Sequence, residues 1–344
     1  MPQTAMRGNN GLKTVATNAL IVLVAAVLGL GIGEAFVRFK NADMRNYDIE
    51  MWRYAKELKF RSDDPELGHE HRTNAQAVLQ SVLIRTNDKG LRGGALQPAP
   101  EGGRRILVLG SSITLGWGVP EEQTFTALLQ DKLNAAGEKV QVLNAGIGNY
   151  NAARYSHLFF TRLSDLRPTD IVVHYFLRDA EALDAAGGNW LLRNSELVMT
   201  LWIAWTHLQS RYGTETLVGH YQDVYREDAP GYQKMKQSLA AIADYATRNN
   251  IRIYLAIIPD IHTLRDYPLA FAHRQVGELA ESLGYHTLDL LPYFSGMDSK
   301  EIWAMPGDPH PNALGHRIMA DAAFPLLRLG PSRPLTQIPD QRGR

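Results

Sequence analysis

Two short stretches carry residue types that can make and break a covalent bond. Gly110-Ser111-Ser112-Ile113-Thr114 follows an apolar run and sets hydroxyls on a small-residue turn beside free backbone N–H groups, the setting in which a serine acts as a nucleophile. Far along the chain, Asp308-Pro309-His310-Pro311-Asn312 puts a histidine on a loop before a helical pattern, with a carboxylate two residues earlier able to hold its ring and tautomer. Asn312 suits the cap of a helix over residues 313–327, and Pro325 marks its end. Either stretch alone reads more readily as an ordinary turn; together they supply an alcohol, a base and an orienting acid. The chain has no cysteine, so thiolate nucleophiles, disulfides and thiolate metal sites are excluded. A zinc set of Asp308, His310 and His316 lacks any HExxH or comparable helical pair, so neither metal nor other cofactor is expected. His316 falls inside the helical segment and is read as a core histidine.

The elements that must position these residues are legible as alternating patterns. Short apolar runs at residues 105–110, 139–144, 170–176, 251–258 and 285–290 read as strands, and residues 124–133, 152–166, 232–249 and 271–283 have helical spacing. Strands apolar nearly throughout imply a parallel sheet covered on both faces, hence a three-layer α/β domain with its chemistry beyond the carboxyl ends of the strands. Residues 39–104 read as a polar, irregular lead-in, with one edge strand over residues 77–86 before the turn Asn87-Asp88-Lys89-Gly90. Residues 180–230 break the alternation and read as an insertion whose helix, residues 197–208, is too short to cross a bilayer. That helix would cap the site, lie on a membrane surface, or pack in the core. Residues 329–344, rich in Pro and charge, read as a disordered tail.

Thirty-six Lys and Arg balance 36 Asp and Glu, which gives no electrostatic reason to expect nucleic acid, and the 45% hydrophobic content is that of a folded chain. No phosphate-cradling GxxxxGK[ST] occurs. After a tail of residues 1–13, residues 14–33 run 20 positions without a charge, roughly 30 Å of helix and enough to cross a hydrocarbon core. A cleaved signal peptide has a shorter apolar region, so residues 14–38 are expected to be an uncleaved anchor. Basic residues on both sides (Arg7 and Lys13; Arg38, Lys40 and Arg45) leave the charge rule undecided. A short tail before a large C-terminal domain favours export of that domain across the inner membrane.

With these residues in view, the chain resembles the SGNH (GDSL-type) hydrolase family, especially its membrane-anchored bacterial members. Gly110-Ser111-Ser112-Ile113 matches the family's nucleophile turn, Asn144-Ala145-Gly146-Ile147-Gly148-Asn149-Tyr150-Asn151 its second block, and Asp308-Pro309-His310 its last. Leu115-Gly116-Trp117-Gly118-Val119-Pro120 and Asn87-Asp88-Lys89-Gly90-Leu91-Arg92-Gly93 are also similar, so the likeness covers about residues 80–328. It implies a flavodoxin-like, three-layer fold with a five-stranded parallel sheet over residues 105–328, behind one transmembrane helix. It also implies Ser112 as nucleophile, His310 as base, Asp308 as its orienter, and an oxyanion hole from the N–H groups of Ser112 and Gly146. Three positions depart: Ser111 replaces the family's Asp, Asp308 stands two residues before the histidine where many members have three, and Arg178 occupies the place of the oxyanion Asn. Arg178 either donates to the oxyanion or pairs with Asp179, Glu181 or a substrate carboxylate, and Asn149 is a substitute donor. The expected activity is a membrane-anchored esterase or O-acetyltransferase on acylated small molecules or on cell-envelope or exopolysaccharide glycans. The contrasting expectation is an impaired member serving as a tethered binding or assembly subunit, with protein partners left open.

Overall fold

Mostly apolar segments of seven residues build the central strands, because a strand covered on both faces has few positions at which a polar side chain reaches water. The computed structural model describes residues 8–183, 189–210 and 217–328. In chain order the elements are α1 (Gly8–Lys40), α2 (Tyr47–Glu57), β1 (Lys59–Arg61), β2 (His69–His71), β3 (Gln76–Leu79), β4 (Val82–Arg85), β5 (Arg104–Gly110), α3 (Ser112–Leu115), α4 (Phe125–Ala135), β6 (Val140–Gly146), α5 (Ala152–Leu158) and β7 (Asp170–Phe176). They continue with α6 (Trp190–Asn194), α7 (Glu196–Ser210), α8 (Leu217–Val224), α9 (Pro230–Asn249), β8 (Arg252–Ile258), α10 (Ala270–Ser282), β9 (His286–Asp289), α11 (Leu291–Phe294), β10 (Trp303–Met305), β11 (Asp308–Pro311) and α12 (Ala313–Arg328). Two compact units share them: residues up to 51 with the 187–213 segment, and the remainder.

In the larger unit five parallel strands stand in the order β6-β5-β7-β8-β9, the flavodoxin-like arrangement. The expected three-layer α/β fold with a five-stranded parallel sheet is the observed one. Side chains alternate between two cores. Leu107, Leu109, Ile171, Val173 and Leu255 pack under α5, α9 and α10, whereas Ile106, Val108, Val172 and Ala256 pack under α4 and α12. Each fully buried aliphatic side chain contributes about 1.5–3 kcal/mol. At the amino ends of the strands the buried Asp170 carboxylate accepts from Arg104 Nη2 at 2.9 Å and lies 2.8 Å from Arg252 Nε, which ties β5, β7 and β8 together opposite the rim where ligands bind.

The lead-in departs from its expected form. It holds a helix and two small antiparallel hairpins, β1 with β2 and β3 with β4, and the alternation expected to be one edge strand is the second hairpin, turned at Gln80 and Ser81. The helix expected over residues 152–166 ends as α5 at Leu158 and continues as a π turn, Phe159–Leu163, and a 3-10 turn, Ser164–Leu166. Pro325 lies inside α12 rather than at its end, because a proline in the last turn forfeits only one hydrogen bond before the helix stops at Arg328.

In the smaller unit α1 runs 33 residues with its apolar side chains exposed, and it is long and apolar enough to cross a membrane over Lys13–Asp43. The insertion's expected helix is present as α7. Residues 1–7 of the amino-terminal tail and the tail expected over residues 329–344 lie outside the described residues.

Candidate active site

Strand β5 ends at Gly110, where a Cβ would stand 2.0 Å from Thr114 Oγ1 and 2.8 Å from the His174 carbonyl; only glycine lets the chain turn this tightly into α3. Ser112 is the first residue of α3, so its N–H precedes any intrahelical acceptor. The short helix is pinned from below. The buried Arg92 guanidinium donates to the carbonyls of Leu115, Gly116 and Val119, and Thr114 Oγ1 meets His174 Nδ1 at 3.1 Å. Burial pushes His174 down to about 3, so this partner is neutral at physiological pH.

Asp308 and His310 stand on strand β11 rather than on a loop. The strand pairs with β10 through an irregular register, and Asn312 then caps α12, its Oδ1 accepting from Leu314 N and Gly315 N. This hairpin brings His310 Nε2 to 2.8 Å from Ser112 Oγ, across a sequence separation of 198. Asp308 Oδ1 lies 2.6 Å from His310 Nδ1 and accepts the His310 N–H at 3.1 Å. Its other oxygen accepts from Gln80 Nε2 at 2.5 Å and from Trp117 Nε1 at 3.1 Å. Burial alone would push this carboxyl up; the hydrogen bond and charge of His310 and the Gln80 amide outweigh it and hold it below the usual range. Asp308 is thus a fully buried carboxylate with donors on both oxygens. His316 is a core histidine whose Nδ1 accepts from Phe125 N, and no metal-holding cluster occurs among the described residues.

The expected oxyanion groups are only partly assembled. Gly146 pairs with Gly110 beside the nucleophile turn, but its N–H donates to Asn144 Oδ1 at 3.0 Å, and a Cβ there would meet Leu115 N at 2.1 Å. Its role is close approach of α3 to β6. Arg178 is an exposed residue whose Nε lies 3.1 Å from Glu181 Oε2. Of the alternatives open to it, the pairing with Glu181 is observed, and its charge also acts on Asp179. Asp179 is buried, and desolvation pushes its carboxyl well above the usual carboxylate range.

Asn149 is exposed with φ +65°, a conformation more usual for glycine. In its loop Ile147 N donates to Gly110 O, Gly148 N to Tyr54 Oη and Tyr150 N to Ile147 O, which leaves the Asn149 N–H as the open donor among the described residues. That loop is gripped by the lead-in. Gly148 O receives His69 Nε2 at 2.9 Å and Lys59 Nζ at 3.3 Å, while Arg154 Nη1 reaches Asn149 O at 3.2 Å. The Gly148 carbonyl belongs to the same peptide as the Asn149 N–H, so donors on its oxygen polarise that N–H toward an anion.

Sequence reasoning missed Gln80, Lys59, His69 and Tyr54, none of which belongs to a motif, and it gave no role to Trp117, which lies in the family-like stretch of residues 115–120. It also missed a second Asp-x-His pair: Asp260 Oδ1 lies 2.6 Å from His262 Nδ1, the same local geometry as Asp308 with His310, and the repeated spacing was the available signal. The pair follows β8, and Trp303 Nε1 ties its loop to β10 by donating to Ile261 O.

No family profile matches the chain, and no curated protein matches it. Among solved structures it is similar to a G-D-S-L family lipolytic protein from Desulfitobacterium hafniense DCB-2, with TM-score 0.42 and 14% identity over 65% of this chain and 99% of that one. An acetyl xylan esterase gives TM-score 0.42 and 18% identity over 65% and 99%. A lipase/acylhydrolase from Enterococcus faecalis gives 0.42 and 13% over 65% and 95%. Likenesses of this size assign no activity.

Proposed function

We propose that this chain is a serine esterase of the SGNH hydrolase type, tethered to a membrane by α1. The observation that carries the reading is the relay from Ser112 Oγ to His310 Nε2 at 2.8 Å and from His310 Nδ1 to Asp308 at 2.6 Å. His310 takes the hydroxyl proton as Ser112 Oγ bonds to an ester carbonyl carbon. The oxygen that becomes negative is received by the N–H groups of Ser112 and Asn149, a role the Gly146 N–H, spent on Asn144, does not fill. Collapse expels the alcohol, which takes the proton from His310, and leaves an acyl group on Ser112. Water as the second acceptor makes the protein an esterase; a sugar hydroxyl makes it an O-acetyltransferase. A domain held beside a membrane fits acyl groups, acetyl above all, on cell-envelope or exopolysaccharide glycans, with the domain on the outer side of the inner membrane.

Hydrolysis of p-nitrophenyl acetate by the whole protein tests this. Ser112→Ala is expected to lower kcat/KM by about 10⁴-fold or more; equal rates for the two proteins would dispose of the proposal. A second reading, an impaired member acting as a tethered binding subunit, draws support from Arg178, which faces Glu181 where the family has its oxyanion Asn. Arg178→Asn separates them. On the enzymatic reading the wild type is active and the variant changes kcat by at most the 10²–10³-fold worth of one donor. On the impaired reading only the variant turns over.

A further inference from the structure

The smaller unit contains a helix whose exposed face has no role in the chemistry above. Glu34 stands one residue beyond the uncharged run of α1, and its carboxylate accepts from Ser195 Oγ at 2.7 Å and from the N–H groups of Glu196 and Leu197 at 3.0 Å each. Arg38 Nε adds a fourth donor at 2.8 Å. Glu34 therefore caps α7 with a negative charge where the helix dipole is positive, and it fixes the start of α7 against the end of α1. Gly33 leaves room for Leu197, whose Cδ2 lies 3.1 Å from where a Cβ would stand. Further ties run from Arg38 Nη2 to Asn194 O, from Asn41 Nδ2 to Glu196, and from His207 to Asp48. Both ends of α7 are thus held by residues 34–48, which follow the uncharged run of α1.

Along α7, Leu201, Trp202, Trp205 and Leu208 recur at helical spacing as one stripe and are 47–61% exposed. At 15 residues the helix spans about 22 Å, too short to cross a bilayer but suited to lying in one surface of it, where tryptophan is favoured. We propose that α7 is an interfacial membrane helix, locked to the anchor by Glu34, with its Leu201, Trp202, Trp205 and Leu208 face immersed among lipid headgroups and upper acyl chains. The occupant of this face is lipid because Gly33 and Glu34 fix the start of α7 at the end of the apolar run of α1, the helix that meets lipid if the anchor reading holds, and this inference rests on that reading. The protein then grips its membrane by a spanning helix and a surface helix at a fixed angle.

The absence of cysteine makes the test clean. Single-cysteine variants of the full chain, Leu201→Cys and Trp205→Cys, are labelled with a nitroxide and reconstituted in phosphatidylcholine and phosphatidylglycerol vesicles. Val22→Cys in α1 and the exposed Glu101→Cys serve as references. Collision rates with oxygen, which concentrates in lipid, and with a water-soluble nickel chelate give depth. The expected result is oxygen-dominated relaxation at 201 and 205, shallower than at 22 and at least several-fold above 101. Nickel-dominated relaxation at 201 and 205 with lipid values at 22 overturns the inference and leaves the anchor intact; water values at 22 as well overturn both. Spin broadening that vanishes when labelled protein is diluted with unlabelled protein, without excess oxygen collision, means a second copy covers the stripe and also overturns it.

Discussion

Asp308 binds its histidine with one oxygen and is itself held through the other by Gln80 and Trp117. Asp308→Asn is expected to leave the fold intact and to lower kcat about 10⁴-fold, because the amide favours the wrong imidazole tautomer; steady-state kinetics on a chromogenic ester check this. Lys59 gives a pH prediction. Burial pushes it down to about 7 from an ordinary 10.5, with the Arg154 charge as a further cause. The unfolded chain therefore binds more protons than the native one between those values. The cost of burying the ammonium is fully present below about 7 and is progressively relieved as pH rises toward 10.5. In urea titrations the stability of wild type relative to Lys59→Met should rise from pH 7 to pH 10; a pH-independent difference would contradict the assignment. Ser112, His310 and Asp308 were legible because each sits in a five-residue window with turn and cap signals. Gln80 and Lys59 were not, since a lone amide or lysine in a polar stretch carries no pattern until the chain folds onto it.

At the scale of elements, the lead-in is where sequence and structure part. Strands of three or four residues are too short to establish a period, and the turn of the second hairpin has Gln80 at φ +48° and Ser81 at φ +62° instead of the usual Asn-Gly. The missing turn signal has a functional counterpart: the strained Gln80 delivers its amide to Asp308. Gln80→Gly should therefore separate stability from activity. Relief of the left-handed backbone offsets or exceeds the lost hydrogen bond, by about 1 kcal/mol each way, so thermal stability is kept. Meanwhile kcat is expected to fall about 10- to 100-fold with KM little changed. Coincident loss of both would make Gln80 a purely structural residue. Gly146→Ala is the complementary case. Its Cβ would overlap Leu115 N at 2.1 Å, so α3 must shift and carry Ser112 with it. Activity and stability should fall together, measured by kinetics and urea midpoint.

For the molecule as a whole, the sheet was legible because strands buried on both faces write continuous apolar runs, and strand ends then locate the rim. The two-unit division was not, because the hydrogen bonds joining α1 to α7 link residues about 160 positions apart. Buried histidines give the larger unit an acid limit. His69, His71 and His174 are pushed by burial to about 3, 4 and 3, and His316 well below its ordinary 6.5. All four bind protons in the unfolded chain below about 6.5 but not in the native one, so stability falls with falling pH from 6.5 toward 4, by about 1.4 kcal/mol per pH unit for each fully titrating histidine. Denaturant midpoints at pH 7, 6 and 5 check the slope.

The central claim is that Ser112 is a nucleophile because His310 takes its proton. The most direct measurement is reaction of the native protein with a fluorophosphonate, followed by peptide mass mapping of the adduct. The account predicts a single adduct on Ser112 in the wild type, strongly slowed in His310→Ala. An adduct on another serine, or equal labelling of Ser112 in both proteins, would contradict it.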